Sequence, residues 1–159
     1  MKIAIISDIH SNIFALRRVL VDIQNNQCEA ILCLGDYVGY YYWAEEVLNV
    51  LRSQKNIYFI KGNHEDILLN ALQSDKYRKY IRDIYGNGIE SAIKSLSLDN
   101  IQFLQDLTGS LSISLQGLKI ALFHGSSKNI DDYIYPDFSL EQHNYLFNND
   151  FDVILQGHT

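Results

Sequence analysis

The chain has 159 residues, the size of one domain, and its 47% hydrophobic content and mean hydropathy of -0.09 are ordinary for a globular protein with a real core. A formal net charge of -6 and a pI near 5.2 argue against a platform for extended nucleic acid, which needs a basic footprint. A small phosphorylated substrate stays open, because metal ions can supply the positive charge that the side chains lack.

Four apolar residues stand between Lys2 and Ser7, too few for a secretory h-region, and no run approaches the roughly 18 apolar residues of a membrane span. Of the two cysteines, Cys28 and Cys33, the second sits inside an apolar run and is read as a reduced, buried thiol rather than a redox or metal residue. The expectation is a cytoplasmic protein with no membrane partner.

Strand-like and helix-like runs alternate. Lys2 to Ser7 is β-branched and apolar, as in a strand buried on both faces. Ser11 or Asn12 can cap a helix running to about Gln24, with Ile13, Leu16, Leu20 and Ile23 at helical spacing. Ala30 to Leu34 predicts a second buried strand, Glu45 to Arg52 a helix, and Ile57 to Ile60 a third strand. From Glu65 to about Leu107 the pattern is helical, broken by Gly86 and Gly88, with Asp99 capping a short last helix.

Leu111 to Leu115 alternates with period two, and Gln116-Gly117 turns it into Leu118 to Phe123 as a hairpin. Ser139 and Gln142 form a capping box that opens a helix to about Asn148, and Val153 to Leu155 is the last strand. The one proline, Pro136, divides nothing, so the expectation is a single α/β domain over 1–159 with a helical insertion at 65–107.

Each buried run stops at a polar cluster: Asp8-Ile9-His10, Gly35-Asp36, Gly62-Asn63-His64-Glu65, His124-Gly125 and Gly157-His158-Thr159. In an open α/β sheet the C-terminal strand ends share one edge, so these residues converge on one cleft. Carboxylate, imidazole and amide oxygen suit borderline divalent ions, and no thiolate is among them. Two residues apart in an extended segment, Asp8 and His10 would point to the same side and reach one metal. The glycines would let backbone pass close to the site. Singly these motifs are weak; five in order, each closing an apolar strand, are specific.

On these motifs the chain resembles the calcineurin-like metallophosphoesterase superfamily over almost its whole length. It looks nearest the small bacterial and archaeal phosphodiesterase-like branch, through Ser7 to Asn12 and Val38-Gly39-Tyr40. The resemblance implies a four-layer α-β-β-α sandwich of two facing sheets between helices. It implies two divalent ions, Mn²⁺ first, with Fe, Zn, Ni or Co as alternatives. Asp8, His10 and Asp36 would hold one, and Asp36, Asn63, His124 and His158 the other, Asp36 bridging.

The implied reaction is phosphate-ester hydrolysis by a hydroxide shared between the metals, with His64 protonating or stabilising the leaving oxygen. His64 and Asp36 are thus the catalytic candidates. The substrate would be a small phosphomonoester or phosphodiester, a nucleotide included.

The chain departs from that pattern at its last motif, which in the family usually reads Gly-His-Thr-His and is followed by further strands. Here it stops at Thr159, which leaves the first site with Asp8, His10 and Asp36, and the expectation is a shortened chain. Tyr37, Tyr40, Tyr41, Tyr42 and Trp43 could stack a nucleobase or serve packing or a homo-oligomer contact. Lys76, Arg78, Lys79 and Arg82, with Tyr77 and Tyr80, could grip an anion or form a solvated helix face. His143 is read as surface. The rival function is a scaffold or regulatory protein that keeps the fold without turnover.

Overall fold

In the computed structural model, which describes residues 1–147 and 150–159, three parallel strands form the first sheet in the order β1-β2-β3. They are β1 (Ile3–Ile6), β2 (Ala30–Cys33) and β3 (Ile57–Phe59), in register Ile3 to Ala30 and Ile31 to Ile57. Side chains alternate across this sheet because strand residues alternate faces. Ile31, Cys33, Ile57 and Phe59 pack towards helices, whereas Leu32, Tyr58 and Ile60 face the second sheet.

The crossovers are α1 (Ile13–Asn25) and α2 (Ala44–Arg52). Asn12 caps α1 by accepting from the Ala15 N–H at 3.1 Å, and Ile13 and Leu16 bury its apolar face. Between β3 and β4 lie α3 (Asn63–Gln73), α4 (Asp75–Tyr85), α5 (Gly88–Ser95) and α6 (Leu98–Asp106). This helical run begins at Asn63, two residues before the expected Glu65. The cap of α6 is Ser97, whose hydroxyl accepts from the Asn100 N–H, and not Asp99; Asp99 lies two residues on, in the first turn, and pairs with Arg52.

The second sheet has the order β4-β5-β6. β4 (Ser110–Leu115) and β5 (Leu118–Phe123) form the expected antiparallel hairpin, with Gln116 and Gly117 at positive φ in its turn. β6 (Val153–Gln156) joins β5 in parallel. Leu111, Ile113 and Leu115 face the first sheet while Ser110, Ser112 and Ser114 face out, which is the period-two signal seen in the sequence.

Leu32, Leu34, Ile60, Ile120 and Leu122 fill the space between the sheets, each contributing about 2 kcal/mol by burial. α7 (Leu140–Leu146) opens with the Ser139–Gln142 capping box. Phe147, just after it, packs on Phe123 on the outer face of the second sheet. The expected end of this helix at Asn148 lies outside the described residues. The layers are thus helices, sheet, sheet and helix. Among the described residues no helix is long and apolar enough to cross a membrane.

Candidate metal centre

The strand ends continue as loops that stay bonded to one another. The Asp8 N–H donates to Gly35 O (3.1 Å), that of His10 to Asp36 O (2.8 Å) and that of Ser11 to Tyr37 O (2.7 Å). From the second sheet, the Gly157 N–H donates to His124 O (2.9 Å) and the His158 N–H to Asp8 Oδ2 (3.1 Å). Polar residues 150 positions apart are therefore neighbours.

Asp8, His10, Ser11, Asp36 and His158 all have positive φ, between 47° and 63°. For residues other than glycine such left-handed conformations cost of order 1 kcal/mol or more and tend to gather at functional sites. They also correct one expectation. The segment from Asp8 to His10 is not extended. Its side chains come together (His10 Nε2 to Asp8 Oδ1, 3.9 Å) because the backbone curls, not because a strand alternates.

Asp36 is the hub. Its Oδ2 lies 3.6 Å from His10 Nε2 and 3.4 Å from His124 Nε2, and its Oδ1 accepts the His64 backbone N–H at 2.9 Å. A backbone carbonyl can only accept, so the tautomers follow from the partners. His10 Nδ1 donates to Val38 O (3.0 Å) and His124 Nδ1 to Leu34 O (2.6 Å), which turns both Nε2 atoms inward. His124 Nε2 also meets Asn63 Oδ1 (3.2 Å) and His158 Nδ1 (3.1 Å).

Lone pairs converging on lone pairs repel unless a proton or a cation lies among them. Histidines held by a carbonyl at one nitrogen while the other faces inward are the usual arrangement of metal ligands. The buried Nε2 of His158 and Nδ1 of His64 have no hydrogen-bond partner among the described residues. Ligand atoms of Asp8, Asp36, His124 and His158 lie within 4.8 Å of one another, as do those of His10, Asp36 and His64, so Asp36 belongs to both groups. The residues fit a divalent cation.

The charges are mutually dependent. Burial raises the Asp36 carboxyl, but the hydrogen bond and charge of His124, helped by His64, outweigh it and leave Asp36 below its ordinary range. His124 is lowered by burial and raised more by Asp36, reaching about 8. His64 falls to about 4, chiefly through burial, with His10, His124 and His158 adding to the effect against Asp36.

Glu65, fully buried, had no assigned role in the sequence. Its Oε2 accepts from the N–H groups of Asp36 (2.9 Å) and Gly62 (2.8 Å), and its Oε1 from those of Tyr37 (2.8 Å) and Val38 (3.2 Å). Burial, then the nearby Asp36 charge, push its carboxyl up, and these four bonds to the ionised form pull it back down. A Cβ on Gly62 would overlap Asp36, so this glycine is a close approach as expected, and Gly39, at φ 140°, lies against the rings of His10 and His64 as well.

The calcineurin-like phosphoesterase profile matches residues 1–159. The chain belongs to the calcineurin-like phosphoesterase family. It is 34% identical over 159 residues to the uncharacterized protein MJ0912 of Methanocaldococcus jannaschii, covering 99% of this chain and 61% of that protein. Its fold is similar to the crystal structure of a metallophosphoesterase from Sphaerobacter thermophilus (TM-score 0.78, 27% identity, 99% of this chain and 60% of that one). It is equally similar in fold to hypothetical protein PH1004 from Pyrococcus horikoshii OT3 (TM-score 0.78, 22% identity, 91% and 63%). The chain thus spans about three fifths of the length of the relatives it matches.

The remaining candidates separate. Tyr37 is in the core, its hydroxyl bonded to Ile60 O at 2.7 Å and Cys33 O at 3.2 Å, so it stacks on no ligand. Tyr41 and Tyr42 face solvent, Trp43 packs on Phe14, and Tyr40 alone of that cluster lines the cleft. Arg78 is taken up by a two-pronged pair with Glu90 (2.5 and 2.6 Å), while Lys76, Lys79 and Arg82 form the solvated helix face. His143 is half-buried on α7 against Phe138. Tyr85 and Tyr133 also line the cleft and carried no sequence motif.

Proposed function

We propose that the protein hydrolyses phosphate esters, phosphomonoesters or phosphodiesters with nucleotides among them, at the Asp36 centre loaded with two divalent cations, Mn²⁺ first. The observation that supports this is the inward convergence of the His10 and His124 Nε2 atoms on Asp36 Oδ2. Asp8, His10 and Asp36 would hold one ion, and Asp36, Asn63, His124 and His158 the other. Ions bound there supply Lewis acidity towards a phosphoryl oxygen and a nucleophile at neutral pH.

The chain's own residues do the rest. Carbonyls of Val38 and Leu34 fix the ring orientation of His10 and His124. Glu65 holds the loop of Asp36 in place through the N–H groups of Asp36, Tyr37 and Val38. His64, neutral at pH 7 with a pKa near 4, would offer its ring N–H to the leaving oxygen as a hydrogen-bond donor rather than as an imidazolium. The free thiols of Cys28 and Cys33 support a reducing, cytoplasmic setting.

Hydrolysis of bis-p-nitrophenyl phosphate and p-nitrophenyl phosphate with added Mn²⁺ tests this reading. Turnover abolished by EDTA and by Asp36→Asn is expected. Full metal occupancy without turnover would favour a binding scaffold instead.

A further inference from the structure

We propose that three tyrosines make the mouth of this cleft a reader of a nucleobase, so that the preferred ester is a mononucleotide; this rests on the phosphoesterase reading above. Tyr40 follows β2, Tyr85 ends α4 and Tyr133 lies in the loop after β5, yet all three line the cleft over Asp36. They are 47%, 36% and 55% exposed. A ring left facing water beside a pocket forgoes burial that any apolar partner would restore.

The rings are held in place. Tyr40 stands edge-on to His10 (4.6 Å between centroids) and tilted to His64 (5.0 Å). Tyr85 meets His64 at 5.5 Å and Tyr40 at 6.1 Å. Tyr133 lies 4.3 Å from His158 and nearly parallel to Tyr135, with 9° between their planes. Rings preorganised on one side and open on the other are what base stacking uses, and such stacking is worth roughly five- to a hundredfold in affinity per base.

Charge and size narrow the class. Among the described residues lining the cleft there is no lysine or arginine. A single phosphate at the Asp36 centre can be met by cations, but a polyphosphate tail would find no counter-charge on the rim. The cleft's volume is about 280 Å³, just under the usual range of ligand pockets. It suits one nucleotide and not a strand.

The experiment is calorimetry on the Mn²⁺-loaded chain with the non-hydrolysable phosphonate analogues of 5′-AMP and of ribose 5-phosphate, which differ only in the base. The adenosine compound should bind at least tenfold more tightly. Tyr85→Leu and Tyr133→Leu should each bring the ratio of the two affinities towards one, and Tyr85→Phe and Tyr133→Phe should keep it. Equal binding, no binding of either compound, or a ratio indifferent to the leucine variants overturns the proposal. Hydrolysis of bis-p-nitrophenyl phosphate by the same sample decides separately whether the phosphoesterase reading stands.

Discussion

Glu65 Oε2 accepts the backbone N–H of Asp36 at 2.9 Å, so a buried carboxylate from α3 fixes the position of the residue at the centre of the site. Its four bonds use both oxygens fully. Glu65→Gln would turn an NH₂ group towards two of those N–H donors. The predicted loss is on the order of 3 kcal/mol in stability, with weaker Mn²⁺ binding, read by thermal denaturation and calorimetry. An unchanged melting temperature and Mn²⁺ affinity would show that Glu65 does not fix Asp36.

The pH dependence of the metal-free protein follows from His124. Its folded pKa is raised to about 8 by Asp36, so the stability it contributes is complete below the unfolded value of about 6.5 and lost as pH rises through about 8. In EDTA the melting temperature should therefore fall between pH 6 and pH 9. Mn²⁺ affinity should rise over that interval, with protons released in proportion, because a cation displaces the His124 proton. Titrations in buffers of different ionisation enthalpy read that release.

His64→Ala should lower turnover of bis-p-nitrophenyl phosphate by roughly a hundredfold or more while bound Mn²⁺, measured by elemental analysis, stays near the unsubstituted level. Loss of metal instead would make His64 a ligand, a role its place beside His10 and Asp36 allows.

The strand ends were readable because an apolar run that stops at Asp8, Asp36, Asn63, His124 or His158 can stop there only at a sheet edge. The hairpin was readable from Leu111, Ile113 and Leu115, whose alternation is a property of the backbone itself. The curl at Asp8 and His10 was not, since positive φ at these residues is imposed by loop-to-loop bonds with Gly35 and Asp36. Tyr37 and Tyr40 look alike in sequence, yet one fills the core and the other the cleft. Tyr85 and Tyr133 reach the site from a helix end and an irregular loop, where spacing carries no directional signal.

Asp36 is proposed to join two groups of ligands into one divalent-metal site. Calorimetric titration of the metal-free chain and of Asp36→Asn with Mn²⁺ tests it most directly. Binding by the unsubstituted chain that Asp36→Asn largely loses, while the variant keeps a cooperative melt, is the predicted result. No Mn²⁺ binding by the unsubstituted chain, or equal binding by the folded variant, would contradict it.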